Sequence, residues 1–474
     1  MHRLKADLCI IGAGPGGLSL AAGAAQLGVK VILVESGKMG GDCLNAGCVP
    51  SKALLAAAKA AHLARGNPNM GVVVPNGPQV DLARAKAYVA EVIAKIAPHD
   101  SQERFEALGV TVIRAWGRFV SPKMLEAGPY NISARRFVIA TGARAFVPPI
   151  SGISTIPFLT NETVFNPTIL PDHLIIIGAG SVGVEMAQAH RRLGVRVSLI
   201  DADPLLSRDD PELSAYVKNA LLSEGVELYT EQKIQSIEQA HGEIRLDIAG
   251  GVSIKGSHVL IAAGRVAQVD GLNLHLADVK IGKNGIIAGP DLRTTNKRIY
   301  AMGDALQDGL RFTHVAGYHA GVLVRSLLFG LRAGQKTQHI PRVTYSDPEL
   351  AQVGLTEAQA RLLYHDKITV ISQSLALSDR AQTQGKQDQG LIKLIVHKGR
   401  AIGVGITGPN AGELISIWAL VLAEGVKLSA LARAVFPYPT LSEISKRAVG
   451  TYFSPKLFGN AWIRYWVLFV QRYL

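Results

Sequence analysis

Two glycine fingerprints, each set between an apolar run and an acid, restrict the fold of this chain more than any other feature. The first follows D-L-C-I-I: Gly12, Gly14 and Gly17 have the spacing G-x-G-x-x-G, and a second apolar run, V-K-V-I-L-V, ends at Glu35, 23 residues after Gly12. The second follows H-L-I-I-I: Gly178, Gly180 and Gly183 repeat the spacing, and V-R-V-S-L-I ends at Asp201, again 23 residues after the first glycine. Glycines there let the backbone approach a pyrophosphate at a helix N-terminus, and the terminal acid takes the ribose hydroxyls. One such loop is weak evidence. Strand, loop, helix and acid in register twice predict two dinucleotide sites on an α/β fold with two Rossmann-like domains.

Between the fingerprints lies G-G-D-C-L-N-A-G-C-V-P-S-K, Gly40 to Lys52, which holds Cys43 and Cys48, two of only 3 cysteines. Pro50, Ser51 and the Ala/Leu run after them read as a helix opening, which places Cys48 at a helix N-terminus. Unpaired backbone N–H groups there favour the thiolate. A thiolate with a second thiol nearby is a redox centre that needs an electron source; a pair of inert core cysteines is the competing reading. Cys9, within D-L-C-I-I-G, reads as a strand residue without chemistry.

Three cysteines argue against a disulfide-stapled secreted protein. Leu8 to Ala25 is apolar enough to imitate a signal peptide or a membrane span, but Asp7 precedes it and glycines 12, 14, 16, 17 and 23 interrupt it. It therefore reads as strand, phosphate loop and helix, and the protein as cytoplasmic. The formal net charge of +13 is spread along the chain without a polybasic run, which argues against a nucleic-acid partner. No metal-ligand set is read from the sequence.

Asp201 would repel the 2′-phosphate of NADP, and Arg208 is the nearest arginine downstream, so NADH suits the second site better than NADPH. The first site, beside the thiols, should hold a flavin. Further on, R-F-V-I-A-T-G-A carries Thr141 and Gly142, V-L-I-A-A-G-R carries Gly264, and R-I-Y-A-M-G-D ends at Asp304. Each reads as an apolar strand closing in a glycine turn against a ligand. In F-T-H-V-A, Thr313 and His314 either touch the flavin or pack, and packing is the favoured reading for His314.

With these motifs in this order (GAGPGG, GGDCLNAGCVPSK, GAGSVGVE, AMGD, PYPTLSE), the chain resembles the pyridine nucleotide–disulfide oxidoreductases of the dihydrolipoamide dehydrogenase, glutathione reductase and mercuric reductase group, from Asp7 to about Val449. The resemblance implies an FAD domain (1–147 and 272–338) interrupted by an NAD domain (148–271), an α+β dimerisation domain (339–456) that forms a homodimer, and a tail (457–474). It implies FAD contacts from the first glycine loop, including Pro15 and Gly16, from Glu35, from Gly41, Asp42 and Lys52, and from Gly117, Thr141, Gly142, Asp304 and Thr313. NAD contacts would come from the second loop, including Ser181, with Asp201 and Gly264. Cys48 would be the thiol against the flavin, Cys43 the outer, interchange thiol. Lys52 and Glu185 match the pair set beside the flavin N5, where an ammonium stabilises the reduced anion and a carboxylate orients it.

The C-terminal motif departs from the pattern. Dithiol-handling members carry a histidine before P-T-x-S-E, whereas F-P-Y-P-T-L-S-E puts Tyr438 there and keeps Glu443. A tyrosine, with an ordinary pKa of ~10, is a poor base at neutral pH, and general acid–base help contributes roughly 10²–10⁴ in rate. Dihydrolipoamide and glutathione are thereby disfavoured. Tyrosine at that position resembles mercuric reductase, which also uses a C-terminal cysteine pair, yet no cysteine follows Cys48. The sequence thus predicts an FAD-dependent NAD(P)H oxidoreductase that passes electrons through Cys43 and Cys48 to an unidentified small-molecule acceptor. Mercuric or other soft-metal reduction, dihydrolipoyl dehydrogenation and a non-catalytic flavin redox sensor are the alternatives. In the tail, a helix would gather Asn460, Arg464, Gln471 and Arg472 into a polar stripe opposite Trp462, Trp466, Phe469, Val470 and Tyr473. Packing on the body or on the partner subunit is the favoured reading; peripheral contact with a membrane is the other.

Overall fold

The computed structural model describes residues 1–473 and divides into two compact units, 1–202 with 226–337, and 203–225 with 338–473. In the first unit, the apolar runs around the first fingerprint become parallel strands His2–Ile11 and Val31–Glu35, joined by helix Pro15–Gln26. Their register, Leu8 against Val31 and Ile11 against Val34, brings the glycine loop and Glu35 to the same carboxyl edge of the sheet. Thr111–Arg114 extends this sheet on one side and Tyr130–Ile139 on the other. His2–Ile11 is flanked by strands whose connections run opposite ways, and the crevice outside such a switch point is where open α/β sheets bind ligands.

The second fingerprint builds an independent parallel sheet in the order Glu227–Tyr229, Arg196–Ile200, His173–Ile177, His258–Ile261. The chain then returns to the first sheet: Ile299–Ala301 pairs in parallel with Phe137–Ile139. One dinucleotide fold is thus inserted in the other, as expected. The continuously apolar strands explain the arrangement, because a sheet covered on both faces needs no alternation. Cys9 is fully buried among them, and burial pushes its thiol pKa up, which leaves it inert.

The second unit is an antiparallel five-stranded sheet, ordered Arg342–Thr344, Glu349–Gly354, Arg400–Gly408, Leu391–His397, Ile368–Ser374. Its helices centre on Trp418, whose side chain is fully buried and donates Nε1–H to Ser445 Oγ at 3.0 Å. Helix Pro211–Ser223 belongs to this unit: Lys393 meets Asp210 at 3.1 Å and Glu212 at 2.9 Å. The stretch 203–225, read in sequence as part of the 148–271 domain, therefore packs with the C-terminal sheet. The tail forms helix Ala461–Tyr473, with Leu474 outside the described residues. None of its residues is buried against the body of its own chain, so of the expected packing on the body or on the partner subunit the first half is not met. No helix among the described residues is long and apolar enough to cross a membrane.

Candidate active site

The two glycine loops are built alike. Gly12 and Gly178 hold φ of 110° and 113°, in the region that favours glycine, and a Cβ on either would run into the carbonyl of Ala140 or Ala262. A Cβ on Gly17 or Gly183 would strike the carbonyl of Gly12 or Gly178, so the third glycine is required for helix to lie on strand. Gly14 and Gly180 differ: the space a Cβ would take is open. Each is also the N-cap of its helix, with no side chain to satisfy the first N–H groups. Pro15 and Ser181 open the two helices, while Gly16 lies tight under Met302. The acids close the devices identically. Glu35 Oε2 accepts from Ala13 N–H and Asp201 Oδ2 from Ala179 N–H, both at 2.6 Å.

The cysteine stretch folds onto the first loop. Gly41, at φ 59°, comes so near that its Cβ would sit 2.7 Å from Gly14 Cα. Cys43 lies in the short helix Gly41–Asn45, and Cys48 is the first residue of helix Cys48–Leu63. Both thiols are free. Cys48 Sγ stands 3.2 Å from Thr313 Oγ1. The Cys43 thiol, hydrogen-bonded to Cys48, is the largest influence lowering Cys48 to a pKa of about 6; Thr313 and the Lys52 ammonium act the same way, against burial. The same contact drives Cys43 far upward. One turn after Cys48, Lys52 Nζ pairs with Glu185 Oε2 at 2.8 Å, and Glu185 is buried. This pair joins the thiol helix to the helix of the second fingerprint.

Around these lie the other residues singled out in sequence. Asp42 Oδ1 accepts from Asn161 Nδ2 at 2.7 Å, and its Oδ2 meets Arg265 at 3.0 Å. The same guanidinium reaches Asp304 at 3.7 Å; burial raises the Asp304 pKa while Arg265 and Arg311 oppose the rise. Thr141 Oγ1 donates to Gln268 O at 2.6 Å, Gly142 and Gly264 hold positive φ, and Gly117 is buried in its strand against Leu125 and Val34. His319 accepts from Gly303 N–H through Nδ1 at 3.0 Å and pairs through Nε2 with Gln335 at 2.8 Å, so the loop before Asp304 is fixed from behind. His314 stacks on Phe312.

In the second unit, Tyr438 is exposed and donates its hydroxyl to Asp379 Oδ2 at 3.0 Å; this bond raises the phenol pKa. Glu443 opens helix Glu443–Phe458, and its buried Oε2 has no hydrogen-bond partner among the described residues. The tyrosine is therefore held by Asp379 rather than by Glu443.

Residues 6–320 match the family model described as pyridine nucleotide-disulphide oxidoreductase, and residues 340–449 match its dimerisation domain. The chain belongs to this family. It is 34% identical over 454 residues to a mercuric reductase of Lysinibacillus sphaericus, covering 94% of this chain and 82% of that protein. It is 35% identical over 453 residues to a dihydrolipoyl dehydrogenase of Thermus scotoductus, covering 92% and 95%. A solved Cu(II) complex of the HOCl-induced flavoprotein disulfide reductase RclA from Escherichia coli superposes with a TM-score of 0.84 at 27% identity, covering 94% of this chain and 99% of that one.

Members of the pyridine nucleotide-disulphide oxidoreductase family are enzymes that use FAD and NAD(P)H, and the dimerisation match supports a homodimer. The residues present fit two such cofactors: open space at Gly14 and Gly180, unspent helix N–H groups, and an acid beside each loop. Sequence reading missed Arg265 as the link between Asp42 and Asp304, Asn161 as a second partner of Asp42, His319 behind the Asp304 loop, and Asp379 as the partner of Tyr438. Only Arg265 carried a signal, as the residue that closes V-L-I-A-A-G-R.

Proposed function

We propose that this chain is an NADH-dependent flavoenzyme that passes electrons through Cys43 and Cys48 to a soft metal ion bound by those thiolates. The observation that carries the proposal is the unequal setting of the two thiols: Cys48 heads its helix 3.2 Å from Thr313 Oγ1 and accepts from the Cys43 thiol, contacts that lower the Cys48 pKa to about 6 and raise that of Cys43. FAD, held by the Gly12–Gly17 loop with Glu35, Asp42 and Asp304, would supply the two-electron relay between nicotinamide and thiols. NADH would lie over the Gly178–Gly183 loop. Asp201 favours it over NADPH, because a carboxylate at the ribose position repels a 2′-phosphate.

Two electrons and one proton turn a Cys43–Cys48 disulfide into one thiol and one thiolate. The pKa order assigns the thiolate to Cys48, where Thr313, Lys52 and the helix N-terminus hold the charge, and the proton to Cys43. Glu185 keeps the Lys52 ammonium in place. Soft ligands select soft ions, and binding one displaces the Cys43 proton. NADH gives NAD⁺, a proton and two electrons, enough to take one Hg²⁺ to the metal or two Cu²⁺ to Cu⁺. The mercuric reductase relative and the Cu(II) complex of RclA support this class of acceptor. Tyr438, tied to Asp379, argues against a dithiol substrate that needs a base there.

The test is NADH consumption by the FAD-loaded protein with Hg²⁺, Cu²⁺, a quinone, lipoamide and glutathione disulfide in parallel. Turnover with the metal ions and not with the disulfides is expected, and Cys43→Ser or Cys48→Ser should remove it. Undiminished metal-dependent turnover in both variants would overturn the assignment to the thiols. Flavin bleaching without turnover on any acceptor would leave a redox sensor instead.

A further inference from the structure

Helix Ala461–Tyr473 lies outside the site described above, and seven of its large apolar side chains are exposed. Trp462, Trp466, Phe469 and Tyr473 are 82%, 61%, 40% and 70% exposed. At helical spacing they share one face, and their rings form a row: Trp466 stacks on Phe469 at 5.7 Å, and Phe469 meets Tyr473 at 5.1 Å. The helix is well started, with Asn460 Oδ1 accepting from Trp462 N–H at 3.0 Å. Arg464 and Gln471 lie opposite the row, and Arg472 flanks it.

Charge identifies the occupant. From Ile444 to Tyr473 the chain has no Asp or Glu, but it has Lys446, Arg447, Lys456, Arg464 and Arg472. The exposed Phe458 and Leu457 add apolar area just before the helix. We propose that helix Ala461–Tyr473 docks in the plane of an anionic lipid bilayer, its aromatic row in the headgroup region and Arg472, at the edge of that row, against lipid phosphate. At ~1.5 Å per residue, 13 residues reach about 20 Å, short of the ~30 Å apolar core, so the helix lies on the bilayer and does not span it. Tryptophan and tyrosine have an apolar body and a polar edge, which suits that depth. Basic residues gain from the negative surface potential in addition. A second copy is the poorer partner: a two-fold contact through this face would bring the flanking Arg472 of each copy to the rim of the contact, with no acidic residue from Ile444 to Tyr473 to offset it. The dimerisation match also stops at residue 449, before the helix begins.

The full-length FAD-loaded protein is sedimented with phosphatidylcholine vesicles and with vesicles containing phosphatidylglycerol as well, while tryptophan fluorescence is followed. Binding to the phosphatidylglycerol vesicles with a blue shift is expected, reduced roughly 10-fold in Trp462→Ser/Trp466→Ser and weakened by salt. Flavin content and NADH-driven turnover in solution should not change in that variant. Equal binding to both vesicle types would overturn the anionic assignment, and absence of binding would overturn the docking. Dissociation of the double variant on gel filtration would show that the face is a contact between copies.

Discussion

Cys43 and Cys48 are the same chemical group, and only position separates them. Cys48 heads a helix, touches Thr313 and lies one turn before Lys52, while Cys43 donates to it. Each of these favours negative charge on Cys48, and the contact with Cys48 together with burial keeps the proton on Cys43, against the opposing hydrogen bond from Thr313. In the reduced protein, the rate of alkylation of Cys48 by iodoacetamide should therefore rise with pH through about 6 and level off above it, far below the ordinary thiol value of 9.0. The sign follows from the thiolate being the nucleophile: its fraction grows as pH passes the lowered pKa. Cys43→Ala removes the donor that contributes most, so the midpoint should move upward, toward the ordinary value. Mass spectrometry of peptides labelled at successive pH values reads both results, and an unshifted midpoint in Cys43→Ala would refute the contact as the cause.

Among the elements, the glycine loops were legible in sequence because their constraint is local: a positive φ, a carbonyl beneath the third glycine, and an acid one strand later are all fixed within 24 residues of chain, 12–35. The same locality makes the two loops separable. Gly183→Ala should drive the second helix off its strand, because the new methyl meets the Gly178 carbonyl, and should abolish NADH binding while FAD remains bound. Gly17→Ala should do the reverse, giving protein that purifies without flavin. Absorbance of the purified variants and titration with NADH distinguish the cases; loss of both cofactors from both variants would mean that the loops do not act independently. What stayed hidden depends on partners distant in sequence. Arg265 meets Asp42, Asn161 meets the same carboxylate, and His319 receives Gly303 N–H only after the strands have assembled. No spacing rule announces such contacts, and side-chain chemistry alone leaves too many candidate pairs.

At the scale of the whole molecule, the inserted architecture could be read from the order of motifs, since Ile299–Ala301 must rejoin a sheet begun almost 300 residues earlier, at His2. The membership of 203–225 in the C-terminal unit could not, because it depends on partners distant in sequence: Lys393 meets Asp210 and Glu212, Arg342 meets Asp209, and Thr407 donates to Leu213 O. That unit also contains Tyr438, the residue on which the proposed exclusion of dithiol substrates rests. Tyr438 occupies a histidine position, and its hydroxyl is committed to Asp379 at 3.0 Å, which raises its pKa and makes it a still poorer base. An imidazole in its place would find two carboxylates at hand: Asp379, which the Tyr438 hydroxyl already meets, and Glu443, whose buried Oε2 lacks a hydrogen-bond partner among the described residues. Either would stabilise the protonated ring and hold its orientation. Tyr438→His should therefore confer NAD⁺-dependent oxidation of dihydrolipoamide, raised by roughly 10²-fold over the parent, with a rate that rises with pH through the imidazole pKa. Reduction of Cu²⁺ by the same variant should change little, since that chemistry needs the thiols and no external base. If the variant gains no dithiol activity while keeping its flavin and its metal-dependent turnover, the missing base is not what excludes dithiols, and the shape of the acceptor site must be.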